Sequence, residues 1–193
     1  MRHTNLPFFP LAKGRTHEVC GAGALVFACV LAANFEGQII WVRESWRSEQ
    51  INPIGFASFV NPADVIVCNT GGQPEALAVA EEALRSGAVG LVVIELSKPL
   101  GLTEGRRLQL AARDGKAVGL AVIPEGMGSN AAETRWRCVP VFDLKDSALS
   151  QWDLIKNKSG ALGGWHVRWD TASRRLIVVS PAGQRPDAQK APG

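Results

Sequence analysis

The chain has 193 residues, of which 46% are hydrophobic and 20% charged, and a formal net charge of +3. This composition predicts one globular domain with a sizeable core, and the charge is too small to indicate nucleic-acid binding across the whole surface. The longest apolar run, residues 22–33, is too short to cross a bilayer, and Pro7 and Pro10 interrupt the N-terminus, so neither a membrane span nor a signal peptide is expected. We therefore expect a cytoplasmic protein.

Residues 1–15 combine prolines, two phenylalanines and a basic segment, which predicts an irregular N-terminal arm. The next stretch, residues 17–33, has the pattern of a strand, a glycine turn and a buried helix. That layout is typical of a phosphate-binding loop, but a Walker A loop also needs a lysine and a Ser or Thr hydroxyl. The turn residues Gly21, Ala22, Gly23 and Ala24 supply neither group, so we interpret the turn as structural or as a degenerate phosphate loop.

Strands and helices alternate from there to residue 142. The apolar runs predict strands at 38–42, 65–68, 89–96, 118–123 and 135–142, with the run at 89–96 in a central position. A helix between Pro74 and Gly87 and another over 103–114 separate them, the latter with Thr103 as N-cap and Gly115 as its stop. This alternation predicts a mostly parallel sheet with helices on both faces.

The pattern changes near the C-terminus. Short strands at 152–156, 165–169 and 175–180, joined by glycine-rich or serine-rich turns, predict an antiparallel meander. Residues 181–193 have almost no apolar side chains to bury and are expected to form a disordered tail. The expected organisation is therefore one domain over residues 16–180.

The reactive side chains are scattered. The cysteines contain no Cys-x-x-Cys pair, and most lie within apolar runs, which predicts buried, reduced thiols rather than a zinc site or a disulfide framework: Cys20, Cys29, Cys68 and Cys138. The three histidines are too far apart for a metal site, and no nucleophile lies in a recognisable motif. The sequence therefore predicts no catalytic residue, no metal site and no cofactor.

Two acids and several basic residues remain as candidates. Glu44 and Glu95 each lie near the end of a predicted strand, where a recombinase-type ATPase places its water-activating and magnesium-holding carboxylates. A solvated or capped glutamate beside a loop is the alternative for each.

The basic residues are expected to face DNA, a protein partner, a nucleotide of a neighbouring subunit, or only solvent. Arg106, Gln109 and Arg113 are predicted to share one exposed helical stripe, and Arg135 and Arg137 to point to the same side of a strand. Lys156 and Lys158 lie in a predicted turn.

Four segments together resemble the ImuA family of RecA-like, SulA-like accessory proteins of inducible mutagenesis. They are residues 13–19 (KGRTHEV), 102–112 (LTEGRRLQLAA), 131–137 (AAETRWR) and 156–160 (KNKSG) with 165–170. The Lys-Asn-Lys segment at 156–158 is also similar to a segment of RecA that approaches the ATP of the adjacent subunit. The resemblance implies a RecA-like P-loop NTPase-type core.

The same resemblance implies a role in damage-induced (SOS), error-prone DNA synthesis. The implied partners are an ImuB-type Y-family-like protein, an alternative DnaE-type polymerase and RecA, with DNA bound directly or through them. Because the Gly21 to Ala24 turn departs from the RecA loop, a non-catalytic adaptor is the expected function. The alternatives are a weak DNA-stimulated ATPase that uses Glu44 and Glu95, and a SulA-type inhibitor of cell division.

Overall fold

The structure, a computed structural model, describes residues 6–144 and 146–181. The strands are β1 (Arg15–Cys20), β2 (Ile39–Glu44), β3 (Val65–Thr70), β4 (Leu91–Glu95), β5 (Val118–Val122), β6 (Thr134–Pro140), β7 (Leu149–Asn157), β8 (Gly163–Asp170) and β9 (Arg175–Pro181). The helices are α1 (Ala24–Ala32), α2 (Pro53–Phe56), α3 (Gln73–Arg85) and α4 (Leu102–Gly115), and a single 3₁₀ turn covers Pro62–Asp64.

The strands form one mixed sheet in the order β3-β2-β4-β5-β1-β6-β7-β8-β9. Neighbours from β3 to β6 are parallel, and β6 to β9 form an antiparallel meander. The predicted mostly parallel sheet with antiparallel strands at its C-terminal end is confirmed. All five residues of β4 are buried between β2 and β5, so the central position predicted for this strand is also confirmed.

Helices cover both faces of the sheet, as predicted. On one face, α1 packs Phe27 against Trp136 and Trp152, with ring centroids 5.6 and 4.6 Å away. On the other face, α3 packs over β2 and β4 and α4 over β1 and β5, and Leu84 and Leu108 are buried there. Together, the two layers bury apolar side chains on both faces of the inner parallel strands β2, β4 and β5, which explains their apolar runs, whereas β3 at the sheet edge is partly exposed.

Residues 6–14 contain neither a helix nor a strand, yet they belong to the core. Leu6, Phe9 and Leu11 are buried in the cluster that also contains Phe27. The expected disordered tail lies outside the described residues except for Pro181, which ends β9. No helix in the described ranges is both long and apolar enough to cross a membrane.

The predicted ends of α4 were wrong. The helix begins at Leu102 with Gly101 at the N-cap and no side-chain cap, so Thr103 lies inside its first turn. Gly115 is the last helical residue, and Lys116 takes the left-handed conformation with φ +55°. Gly115 is needed for packing, because a Cβ there would collide with the Leu84 carbonyl oxygen of α3.

Candidate functional site

The glycine turn between β1 and α1 is closed against β6. The Gly23 N–H donates to the Cys138 carbonyl at 2.8 Å, and the Ala24 N–H donates to the Gly21 carbonyl at 3.0 Å. Gly21 has φ +91°, and a Cβ at this position would collide with the Cys138 carbonyl oxygen. These N–H groups are therefore committed to protein carbonyls and do not form an open cradle for an anion.

The turn is also short. Only residues 21–23 connect β1 to α1, whereas a Walker A loop places about six residues before its lysine. The chain cannot wrap around a phosphate over this length.

Glu44 and Glu95 are both buried at the carboxyl edge of the sheet, but on opposite faces. Glu44 shares the α3 face with Val42, and its Oε2 has no hydrogen-bond partner among the residues that the structure describes. Glu95 lies on the α1 face, where its Oε1 accepts a hydrogen bond from Trp41 Nε1 at 2.7 Å. The sheet therefore separates the two acids that the ATPase alternative requires to act on one nucleotide.

Two arginines that the sequence did not single out surround Glu95. Arg43 Nη2 lies 3.7 Å and Arg47 Nη1 3.6 Å from its Oε2. The three residues line a cavity of about 460 Å³ between α1 and α2. The alternation of β2 gives a signal for Arg43, since it follows Ile39 and Trp41 on the α1 face, but nothing in the sequence marks that face as a cavity.

Arg135 and Arg137 point to the same side of β6 with Trp136 buried on the other, as predicted. Both are engaged within the protein. Arg135 Nε donates to Glu18 at 2.8 Å, and Arg137 Nε donates to Glu125 at 2.7 Å. An external phosphate would have to compete with these carboxylates, and the role of either arginine in binding stays a prediction.

Lys156 and Lys158 also donate inward. Lys156 Nζ donates to the carbonyls of Ser129 and Ala132 at 2.9 and 2.7 Å, and Lys158 Nζ donates to the carbonyl of Ala131 at 2.7 Å. Burial lowers the pKa of Lys156. The two ammonium groups hold the 129–132 loop, and their contact with DNA or a nucleotide also stays a prediction.

The predicted stripe on α4 is only partly correct. Arg106 and Arg113 are exposed; Arg113 pairs with Asp114, and Arg106 makes no hydrogen bond or ion pair with another described residue. Gln109 is not part of an exposed stripe, because its Oε1 accepts from the Thr16 N–H and hydroxyl at 2.9 and 3.0 Å. Arg106 and Arg113 are therefore the accessible basic pair among the candidates.

Three segments of the family resemblance contribute residues to one buried network centred on Glu18 and Ser129, and a fourth, on α4, packs against it. Glu18 Oε1 accepts from the Ser129 N–H at 2.7 Å, and Arg135 and Lys156 both donate to the Ser129 carbonyl. On α4, Gly105 permits close packing, because a Cβ there would lie 2.6 Å from Ser129 Oγ. Sequence reasoning missed Glu18, although a lone charge inside an apolar strand indicates a buried partner.

Neither a family model nor a curated protein sequence matches the chain.

Metal binding and thiol chemistry find little support in this geometry. In the described ranges, no three His, Cys, Asp or Glu side chains lie close enough together to hold a metal ion. Cys20 and Cys138 are buried free thiols, and Cys29 and Cys68 are partly buried free thiols. Burial raises the pKa of Cys29 to about 12 and that of Cys138 well above its usual value, which disfavours the reactive thiolate.

Proposed function

We propose that this protein is a non-catalytic, RecA-like adaptor in DNA-damage-induced, error-prone DNA synthesis. The closed turn at Gly21 to Gly23 carries the proposal, because the Gly23 and Ala24 N–H groups donate to protein carbonyls where a phosphate loop would hold an anion. A domain of this class that has lost its nucleotide clamp keeps its outer surfaces for binding other proteins. The partners that the family resemblance implies are an ImuB-type protein, a DnaE-type polymerase and RecA.

The buried network supports the RecA-like part of this proposal. Three of the segments that resemble the ImuA family are distant in sequence, yet their residues Glu18, Arg135 and Lys156 bond to one another or to Ser129. Because the similar residues lie in the folded core, the resemblance concerns the fold. It is therefore compatible with the loss of the nucleotide loop.

The ATPase alternative is less well supported. It needs Glu95 free to hold magnesium, but Glu95 is engaged by Trp41, Arg43 and Arg47. It also needs a lysine from a neighbouring subunit, and both Lys156 and Lys158 donate to carbonyls of their own chain. Titration with Mg-ATP up to millimolar concentration tests this alternative, and the adaptor proposal expects no binding.

The adaptor role is tested by genetics together with binding. Deletion of the gene should lower the damage-induced mutation frequency, and the wild-type gene should restore it. The purified chain should capture the purified ImuB-type partner. An unchanged mutation frequency together with no capture would refute the proposal, whereas filamentous growth on overexpression would favour the SulA-type alternative.

Direct DNA binding is tested with the accessible arginines. If Arg106 and Arg113 meet phosphates, replacing both with glutamine should weaken binding to single-stranded DNA. The slope of log affinity against log salt should fall by about 0.7 for each phosphate that the variant no longer neutralises. Unchanged affinity would assign these arginines to a protein partner or to solvent.

A further inference from the structure

The cavity beside Glu95 is mostly apolar. It has a volume of about 460 Å³ and opens between α1, the end of β2 and α2. This volume lies within the range of small-molecule sites. Its apolar wall is formed by side chains of α1, α2 and the segments that flank α2: Leu25, Val26, Cys29, Ile51, Phe56 and Phe59.

The polar part of the cavity has more donors than acceptors. The Arg43 side chain is only 5% exposed, and its one ion-pair contact, to Glu95 Oε2, is 3.7 Å long, beyond hydrogen-bond range. Arg47 contacts the same oxygen at 3.6 Å and donates to the Leu96 carbonyl, while its Nε is buried with no acceptor in the described part of the chain. Each guanidinium has five N–H donors and no acceptor. Glu95 cannot satisfy both groups, because its other oxygen is already bonded to Trp41.

The charged side chains of the cavity also leave an excess of positive charge. Glu95 compensates one of the two buried or half-buried guanidinium groups, and the cavity's other carboxylate, Glu49, is exposed to water. Within residues 6–144 and 146–181, one positive charge inside the cavity is left without a close counter-ion. A buried cation of this kind is costly unless it is paired.

We propose that this cavity binds an organic anion with an apolar body and a single carboxylate or phosphate group. The anionic group accepts hydrogen bonds from Arg43 and Arg47, whose planar guanidinium groups suit bidentate pairing with such oxygens. The apolar body lies against α1 and α2. A nucleoside triphosphate does not fit, because it carries several negative charges for one uncompensated cation, and the Gly23 and Ala24 N–H groups beside the cavity already donate to protein carbonyls.

The proposal is tested by calorimetric titration of the full chain with four probes of one shape. These are 4-phenylbutyrate, 4-phenylbutyl phosphate, the neutral 4-phenylbutanol and the cationic 4-phenylbutylamine. At least one anion should bind tenfold to a hundredfold more tightly than the alcohol, since hydrogen bonds to a charged group contribute about 1.5–3 kcal/mol. The tighter of the two anions identifies the head group. Equal binding of the alcohol, no binding of either anion at millimolar concentration, or tighter binding of Mg-ATP overturns the proposal.

Variants locate the binding to this cavity. Arg43→Met should weaken binding of the preferred anion at least tenfold. Arg85→Met, at an exposed arginine of α3, should leave this binding unchanged. Gly55→Leu is a second variant in case Arg43→Met fails to fold. Gly55 lines the cavity, and among the described residues a Cβ there meets only Asn52 Cβ at 4.0 Å, so leucine should narrow the cavity without a clash at its Cβ. Undiminished binding in a folded Arg43→Met or Gly55→Leu protein overturns the proposal, whatever the outcome for the adaptor role.

Discussion

Replacement of Glu18 with glutamine should destabilise the protein strongly. The Glu18 side chain is 1% exposed, and it accepts hydrogen bonds from Arg135 Nε at 2.8 Å and from the Ser129 N–H at 2.7 Å. Glutamine keeps the shape of glutamate but loses its charge. Its amide NH2 group would face either the Arg135 guanidinium or the Ser129 N–H, and both of these are donors. Removing one partner of a buried pair costs about 3–5 kcal/mol. Arg135 is 21% exposed and one acceptor remains, so we expect a loss at the lower end, about 3 kcal/mol.

A neighbouring ion pair on β6 provides the control. Arg137 Nε donates to Glu125 at 2.7 Å with nearly the same geometry, but the two side chains are 44% and 53% exposed. Water screens this pair, so Glu125→Gln should have little effect on stability.

Urea unfolding followed by circular dichroism measures both variants. With a slope of about 2 kcal/mol per molar urea, the loss expected for Glu18→Gln lowers the midpoint by about 1.5 M. Equal midpoints for the two variants would show that burial of the Glu18 pair does not stabilise the network, and the reasoning would be refuted.

Three further changes test other parts of the structure. Gly115→Ala should lower the free energy of unfolding by about 1–3 kcal/mol, because the new methyl group collides with a carbonyl of α3. Gly55→Ala is the control, because its methyl group meets no close atom among the described residues. Equal stability of the two variants would contradict the packing argument. Burial lowers the pKa of His17 from 6.5 to about 4, so the unfolded chain binds a proton that the folded chain does not between these values, and stability falls as the pH drops through this window. His17→Gln should reduce the dependence of stability on pH, measured by urea unfolding from pH 7 to pH 4. An unchanged dependence would show that His17 is not the group responsible. The double variant Ala24→Lys, Leu25→Thr restores the missing loop residues but not an open loop, so calorimetry should detect no Mg-ATP binding; saturable binding would mean that only the side chains were missing.

The sheet could be predicted from the sequence because its signals are local. Residues 89–94 form a continuous run without a polar side chain, and such a run is typical of a parallel strand that helices cover on both faces. The meander was equally evident from short strands that end at glycine-rich or serine-rich turns. In both cases the side chains that determine the element lie within it.

The errors arose where a distant segment determines a residue's role. Gly115 has the sequence context of a helix stop, but its small size is required by α3, about thirty residues earlier in the chain. Gln109 appeared to be exposed because helical periodicity cannot show that β1 lies above it. Lys156 and Lys158 appeared to form a free basic turn, since nothing near them reveals the loop carbonyls to which they donate.

The candidate site shows the same limit. The absence of lysine and hydroxyl groups after Gly21 was visible in the sequence, and it predicted a degenerate loop. The closure of that loop was not visible, because the Cys138 carbonyl that accepts from Gly23 lies on β6, more than a hundred residues later. The cavity at Arg43 and Arg47 was missed for a related reason, since it is formed by three elements that are separate in sequence.

The adaptor account is tested most directly by size-exclusion chromatography of the purified chain with the purified ImuB-type partner, with and without Mg-ATP. Because the turn at Gly21 to Gly23 is closed by its own hydrogen bonds, the account predicts one complex that elutes identically under both conditions. Failure to form a complex, or a complex that forms only with Mg-ATP, would contradict it.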